Sequence, residues 1–305
     1  MNTNITDAKR ALFDPDNKLA FIVGNGINRY AYGDQLDVSW GKLLLDAWRA
    51  NLRQTLTTIK DGITYTELYD VMELEAEPSM LRESVVNMVN GWPVQEYHKS
   101  LQAALLNLDK PVLTTNFDGN LEEGLNKVIV EPLKKVKGFT GVYPWNVVYT
   151  NKENFTVQDI YGFGVWHING MSEYKQSLRL GLSQYTLQSK RASEFIHSAA
   201  SYEDNFRSKN QEIWRGHNTW LHLIFNCDLC ILGLSIDTQE TFLRWLLIER
   251  AKYFKKFPQR IRHGWYVGTR GDLTPGKQFF LEKTGFEIIE LSSYEEIYKG
   301  LLDVQ

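Results

Sequence analysis

Short apolar runs alternate with longer amphipathic stretches along most of this chain. Leu19–Val23 is a run of apolar residues between Lys18 and Gly24 with no polar alternation. A strand covered on both faces needs none, so the run predicts a buried strand of a parallel sheet. Val112–Thr115, Gly162–Met171, Asp228–Leu234, Gly264–Thr269 and Phe286–Leu291 predict further strands, and Val128–Val130 another. Between them the period lengthens. Ser39 reads as the N-cap of a helix that places Leu43, Leu44, Ala47, Trp48 and Leu52 on one face. Apolar stripes continue to Leu106, so a helical insertion is expected over about 41–106, between the first two sheet strands. Thr186–Phe225 and Thr241–Tyr253 read as helical, and a last helix is expected from Ser293. Ala31–Val38 and Val142–Asn151 read as loops, and Leu178–Tyr185 as a strand and turn. Strands alternating with helices predict an α/β fold, a doubly wound, mostly parallel sheet in a single domain over 1–305.

Composition narrows the function. With 305 residues, 43% hydrophobic and 23% charged, the chain has the make-up of an ordinary globular domain. A net charge of −3 gives no electrostatic case for nucleic acid as a direct ligand. No segment approaches the ~20 apolar residues of a membrane span. The first stretch carries Asp7, Asp14 and Asp16 and lacks a signal peptide's apolar core, so a cytoplasmic protein with no membrane partner is expected. Cys227 and Cys230 are the only cysteines, too few for a four-cysteine zinc site, and no metal is expected. Their lone CxxC reads as buried thiols, since Cys230 falls inside a predicted strand. The tryptophan-rich segments Trp40–Trp48 and Trp214–Trp220 suit either a core or a partner surface.

Three polar clusters follow predicted strands. Gly24-Asn25-Gly26-Ile27-Asn28 has glycines at alternate positions, as in a turn that lets a nucleotide lie against bare main chain. A plain turn explains it equally, because Arg29 stands where a third glycine would complete the dinucleotide fingerprint. Asn116-Phe117-Asp118 lies at the C-terminal end of the second strand, with Thr115 before it. Asn116 offers donors and an acceptor, while Asp118 either joins a site or caps a helix over Asn120–Leu125. His167 and Asn169 end a third strand. Apolar neighbours favour a neutral imidazole at His167, either a structural ring or a base. Gly233 and Ser235 follow a fourth strand, and the clusters are expected to converge at one crevice.

Taken in order, these motifs resemble the sirtuin family. Gly24-Asn25-Gly26-Ile27-Asn28 is similar to its glycine-rich turn, Thr114-Thr115-Asn116-Phe117-Asp118 to its T-x-N-x-D motif, and His167-Ile168-Asn169-Gly170 to its histidine motif. Gly233-Leu234-Ser235 resembles its later G-[TL]-S turn, and Leu180–Tyr185 a stretch that follows the histidine in bacterial relatives. Without the four-cysteine zinc module, the chain resembles the zinc-free sirtuin-like effectors of bacterial anti-phage defence, among them the Kongming-type subunit. The resemblance implies a Rossmann-like sirtuin fold and NAD+ as substrate, cleaved to nicotinamide and ADP-ribose to deplete the infected cell. It implies activation by homo-oligomer assembly or by a co-encoded sensor protein. It assigns Asn116, Asp118 and His167 to catalysis, with His167 as general base in place of the usual histidine before glycine, where Asn169 stands. Gly24, Asn25, Gly26, Ile27, Asn28, Thr115, Asn169, Gly233 and Ser235 are implied to bind the dinucleotide. A non-catalytic sensor of NAD+ or ADP-ribose is the alternative.

Overall fold

Six of the expected runs become parallel neighbours in one sheet. In the computed structural model, which describes residues 4–130, 143–197, 214 and 216–304, the strands are β1 (Leu19–Val23), β2 (Pro111–Thr114), β3 (Asn126–Ile129), β4 (Val147–Thr150), β5 (Gly164–His167), β6 (Asp228–Leu232), β7 (Gly264–Thr269) and β8 (Glu287–Leu291). Their order across the sheet is β3-β4-β5-β2-β1-β6-β7-β8. β5, β2, β1, β6, β7 and β8 run parallel, and β4 joins β5 and β3 antiparallel. Taken in chain order, the parallel strands stand third, second, first, fourth, fifth and sixth, the arrangement of a Rossmann-like sheet.

Alternate residues of each central strand feed different cores. Ala20 and Ile22 of β1 join one face with Leu113, Trp166, Leu229 and Ile231. Phe21 and Val23 join the other with Val112, Val165, Cys230 and Leu232. The first face is covered by α7 (Leu182–His197), α8 (Trp220–Asn226), α9 (Thr241–Lys256) and α10 (Pro275–Lys283). The second is covered by α1 (Ile5–Leu12), α2 (Gly26–Tyr32), α6 (Glu96–Leu108) and a π-helical turn at Glu296–Gly300. Burial on both faces is why these strands show no polar alternation. Cys227 and Cys230 are free, fully buried and on opposite faces, which rules out a redox pair.

Between β1 and β2, α3 (Trp40–Asn51), α4 (Tyr65–Met72) and α5 (Pro78–Asn90) build a third cluster of their own around Leu44, Tyr69, Met72, Leu81 and Val85. Ser39 caps α3 as expected, accepting from the Lys42 amide at 3.2 Å. The inserted unit is α3–α5, because α6 buries Leu101 and Leu105 against the sheet as the crossover into β2.

Local expectations fail in several places. Val147–Thr150 is a buried strand rather than loop: β3 and β5 pair with its edges, and the cores on the two faces of the sheet take Val148 on one side and Val147 and Tyr149 on the other, which removes the alternation that would mark it. Leu178–Gly181 is irregular and α7 starts at Leu182. Asn120–Gly124 forms turns, not a helix. A short helix follows Gly26 where only a turn and loop were expected, and α1 is capped by Asn4 accepting from Thr6 at 2.9 Å. Trp214 and Trp220 are buried, and Trp220 stacks on Trp145 with centroids 5.2 Å apart, so core packing accounts for both. The helical reading of Thr186–Phe225 falls partly on 198–213 and 215, outside the described residues.

Candidate active site

The sheet order reverses at β1: the chain steps to β2 on one side and returns to β6 on the other. Loops leaving the C-terminal ends of adjacent strands diverge at such a point and leave a crevice. Here it is a cleft of about 1070 Å³. Its floor carries Asn25 and Gly26 after β1, Thr115–Asp118 after β2, Asn169 after β5 and Gly233–Ser235 after β6. The 33–40 segment, Tyr65, Trp92 and the C-terminal turn at Tyr294–Tyr298 form its walls. Eight of the sequence-derived residues therefore meet in one cavity: Asn25, Gly26, Thr115, Asn116, Asp118, Asn169, Gly233 and Ser235. Gly24, Ile27, Asn28 and His167 do not line it.

The glycines have a nearer partner than a ligand. Gly24 and Gly26 donate their amides to the carbonyls of Leu232 and Gly233, at 3.1 and 2.7 Å, and the Ile27 amide turns back to Gly24. A Cβ on Gly24 would stand 2.6 Å from the Gly233 oxygen, and one on Gly26 2.6 Å from the Gly233 Cα. The alternate glycines thus let the β1 and β6 loops touch main chain to main chain. The Gly24 and Gly26 amides are spent on that contact, and the Ile27 amide within its own turn, rather than aimed at the cleft. Ile27 packs into the core.

Asn28 sits behind the floor as a connector. Its Nδ2 donates to Asp118 Oδ2 at 2.7 Å and to Asn25 Oδ1 at 2.9 Å. Facing a carboxylate fixes which end is the amine, so Asn28 Oδ1 accepts from His98 Nε2 at 3.0 Å. His98 Nδ1 in turn accepts the Gln95 amide, which leaves the ring neutral. Burial agrees, holding its pKa down to about 4. Asp118 also accepts from the Asn120 amide. Burial and the charge of Glu122 push the Asp118 carboxyl up, against the hydrogen bonds of Asn28 and Asn120 and the charge of His167.

His167 is placed differently from expectation. Its ring is buried, with Nδ1 2.9 Å from the Asn116 carbonyl and Nε2 2.7 Å from Glu122 Oε1. A carbonyl only accepts, so Nδ1 must donate. Burial opposes the charged ring, but the Glu122 carboxylate and the Asn116 carbonyl overcome it and raise the pKa. The result is an imidazolium clamped between two acceptors, not the neutral ring expected. With both nitrogens on acceptors inside the protein and no place in the lining of the cleft, its ring holds the Asn116 main chain.

Glu240, unlike His167, has its carboxyl on the cleft. It lines the cleft at the N-cap of α9, and burial, with Asp237 adding to it, raises its pKa to about 7. A carboxyl that titrates near neutrality in a cleft is suited to proton transfer. No sequence signal marked it, for the acid reads as ordinary helix-start chemistry. Asn116 and Asn169 each keep a buried side-chain oxygen without a partner, an arrangement that calls for an explanation in a native fold. Among the described residues the lining carries six acidic side chains, Asp34, Asp37, Asp118, Asp237, Glu240 and Asp272, against two cations, Arg29 and Lys277. Such a cavity suits a ligand with a cationic part better than a polyanion. Among the described residues no group of three or more His, Cys, Asp or Glu side chains is placed to hold a metal ion, and no helix is long and apolar enough to cross a membrane. Neither the known protein families nor the curated proteins give a match to this chain.

Proposed function

We propose that the protein is an NAD+ glycohydrolase of sirtuin-like fold, the NAD-depleting effector of an anti-phage system, held in check until it assembles or meets a co-encoded sensor. The observation that supports this most directly is the cleft at the switch point of a Rossmann-like sheet, into which Asn116, Asp118, Asn169 and Ser235 converge. Sheets of this order bind dinucleotides across that crevice. The acidic lining suits the nicotinamide cation and the positive charge that develops on the ribose as nicotinamide departs.

In this reading water adds to C1′ of the ribose while the bond to nicotinamide breaks, its electron pair returning to the pyridine nitrogen. Asn116 orients the ribose or the water, and Asp118 orients the carboxamide of the leaving group. Glu240 takes the proton of the water. Arg29 and Ser235, which line the cleft, face the diphosphate. Nicotinamide release from NAD+ by the wild type and by Asn116→Ala, each checked for folding by circular dichroism, tests the proposal. Release that falls by roughly 10²-fold or more in the variant supports it. A folded wild type that binds NAD+ without release, alone and with its neighbouring gene product, overturns it.

That outcome would favour the second reading, a nucleotide-binding sensor. Its support is that both nitrogens of His167 are engaged within the protein.

A further inference from the structure

A second concavity, of about 570 Å³, lies between α9 and α10. Its floor is apolar, made by Ile248 and Ala251 of α9 and by Phe279 and Phe280 of α10. Phe279 is 63% exposed and Ile248 39%, although the core beneath is complete without them. The two side chains stand exposed side by side across the concavity.

The rim has one sign of charge. Arg244, Lys252, Lys255 and Lys283 surround the floor, and among the described residues no Asp or Glu lines it. This basic rim stands on a chain whose net charge is −3. Arg244 lies over the Phe280 ring at 3.7 Å, and the Lys283 ammonium is 5.6 Å from the Phe279 ring, so the cations frame the aromatic floor itself. Lys252 pairs with Glu249, while Lys255 makes no ion pair among the described residues.

We propose that this groove is the docking site for an acidic amphipathic helix of a second protein, its apolar stripe on Phe279 and Ile248 and its carboxylates on the lysine rim. Two parallel helices with an apolar valley accept a third helix through residues spaced three and four apart. The charge pattern selects an acidic partner over a basic one. The site shares its helices with the cleft. α9 begins with Glu240 in the cleft and shows Arg244 to the groove, while α10 gives Gly276 to the groove and Lys277 to the cleft. The proposal does not depend on what the cleft binds.

Gly276 provides the test, because a Cβ there meets nothing within 4 Å. A larger side chain at that position fills the groove and leaves the fold alone. The probes are two labelled synthetic helices of about 18 residues with the same Leu and Phe stripe, one filled with Glu and the other with Lys. Fluorescence anisotropy should show the Glu peptide binding the wild type, more tightly at low salt, and the Lys peptide at least about tenfold more weakly. Lys255→Glu with Lys283→Glu should reverse that preference, Gly276→Trp should abolish binding, and Gly276→Ala should keep it. Equal binding of both peptides, no binding of the Glu peptide, or binding indifferent to Gly276→Trp overturns the proposal. A dimer in sedimentation that Gly276→Trp dissolves would give the groove to a second copy. Binding to phosphatidylserine vesicles that the same variant removes would give it to a lipid surface. Either result also overturns the proposal. Thermal melts of each variant separate loss of binding from loss of fold.

Discussion

His167 and Glu122 form a buried ion pair under the cleft floor, and such pairs act asymmetrically when broken. His167→Ala leaves the Glu122 carboxylate buried without its cation, which should cost about 3–5 kcal/mol in urea denaturation. The pH dependence follows from the direction of the shift. The folded state holds the His167 proton more tightly than the unfolded chain, whose imidazole titrates near ~6.5. The pair's stabilisation is therefore complete below about pH 6.5 and is lost as pH rises through the folded pKa. The wild type should lose more stability as pH rises above about 6.5 than a His167→Gln, Glu122→Gln double variant. Parallel curves would refute the imidazolium. Glu240 makes a separate prediction through the rate. Nicotinamide release should rise with pH through about 7 and level off as its carboxyl ionises. Glu240→Gln should remove that limb and lower the rate by roughly 10²–10⁴-fold. A variant that keeps the limb would place the base elsewhere.

At the scale of elements, two glycines of the same residue type should behave oppositely. Gly26→Ala drives a methyl group into the Gly233 main chain and should cost about 1–3 kcal/mol. Gly276→Ala sits in open space in the first turn of α10 and should stabilise by about 0.4–1 kcal/mol. Chemical denaturation of both variants is sufficient, and a Gly26→Ala protein as stable as wild type would refute the close approach. The difference between these positions shows what a sequence can display. Leu19–Val23 announced its strand because five apolar residues in a row admit few alternatives, and Ser39 announced its helix through its own cap. Val147–Thr150 did not, since its strand depends on neighbours remote in sequence. The site was legible where a strand ended in polar residues, as at Asn116, Asp118 and Asn169. It was illegible at Glu240 and His98, whose roles come from what the fold lays beside them.

For the whole molecule, the two cysteines serve as reporters. Both are buried in or beside the central strand β6, one on each side of the sheet, and burial raises the thiol of Cys227 to about 12. Neither should react with a thiol reagent except on global opening. Labelling of both should slow together and follow the denaturant slope of unfolding. A fast phase from one of them would mean that one helical layer opens separately. The main-chain contact between the β1 and β6 loops reaches further than stability. Because Gly24 and Gly26 are small on account of Gly233, and Gly233 holds a left-handed backbone at φ +66° against them, no one of the three can drift alone. In lineages descended from a common ancestor, these three positions should be inherited as a block. A descendant that replaces one of them should carry a compensating change in the opposite loop.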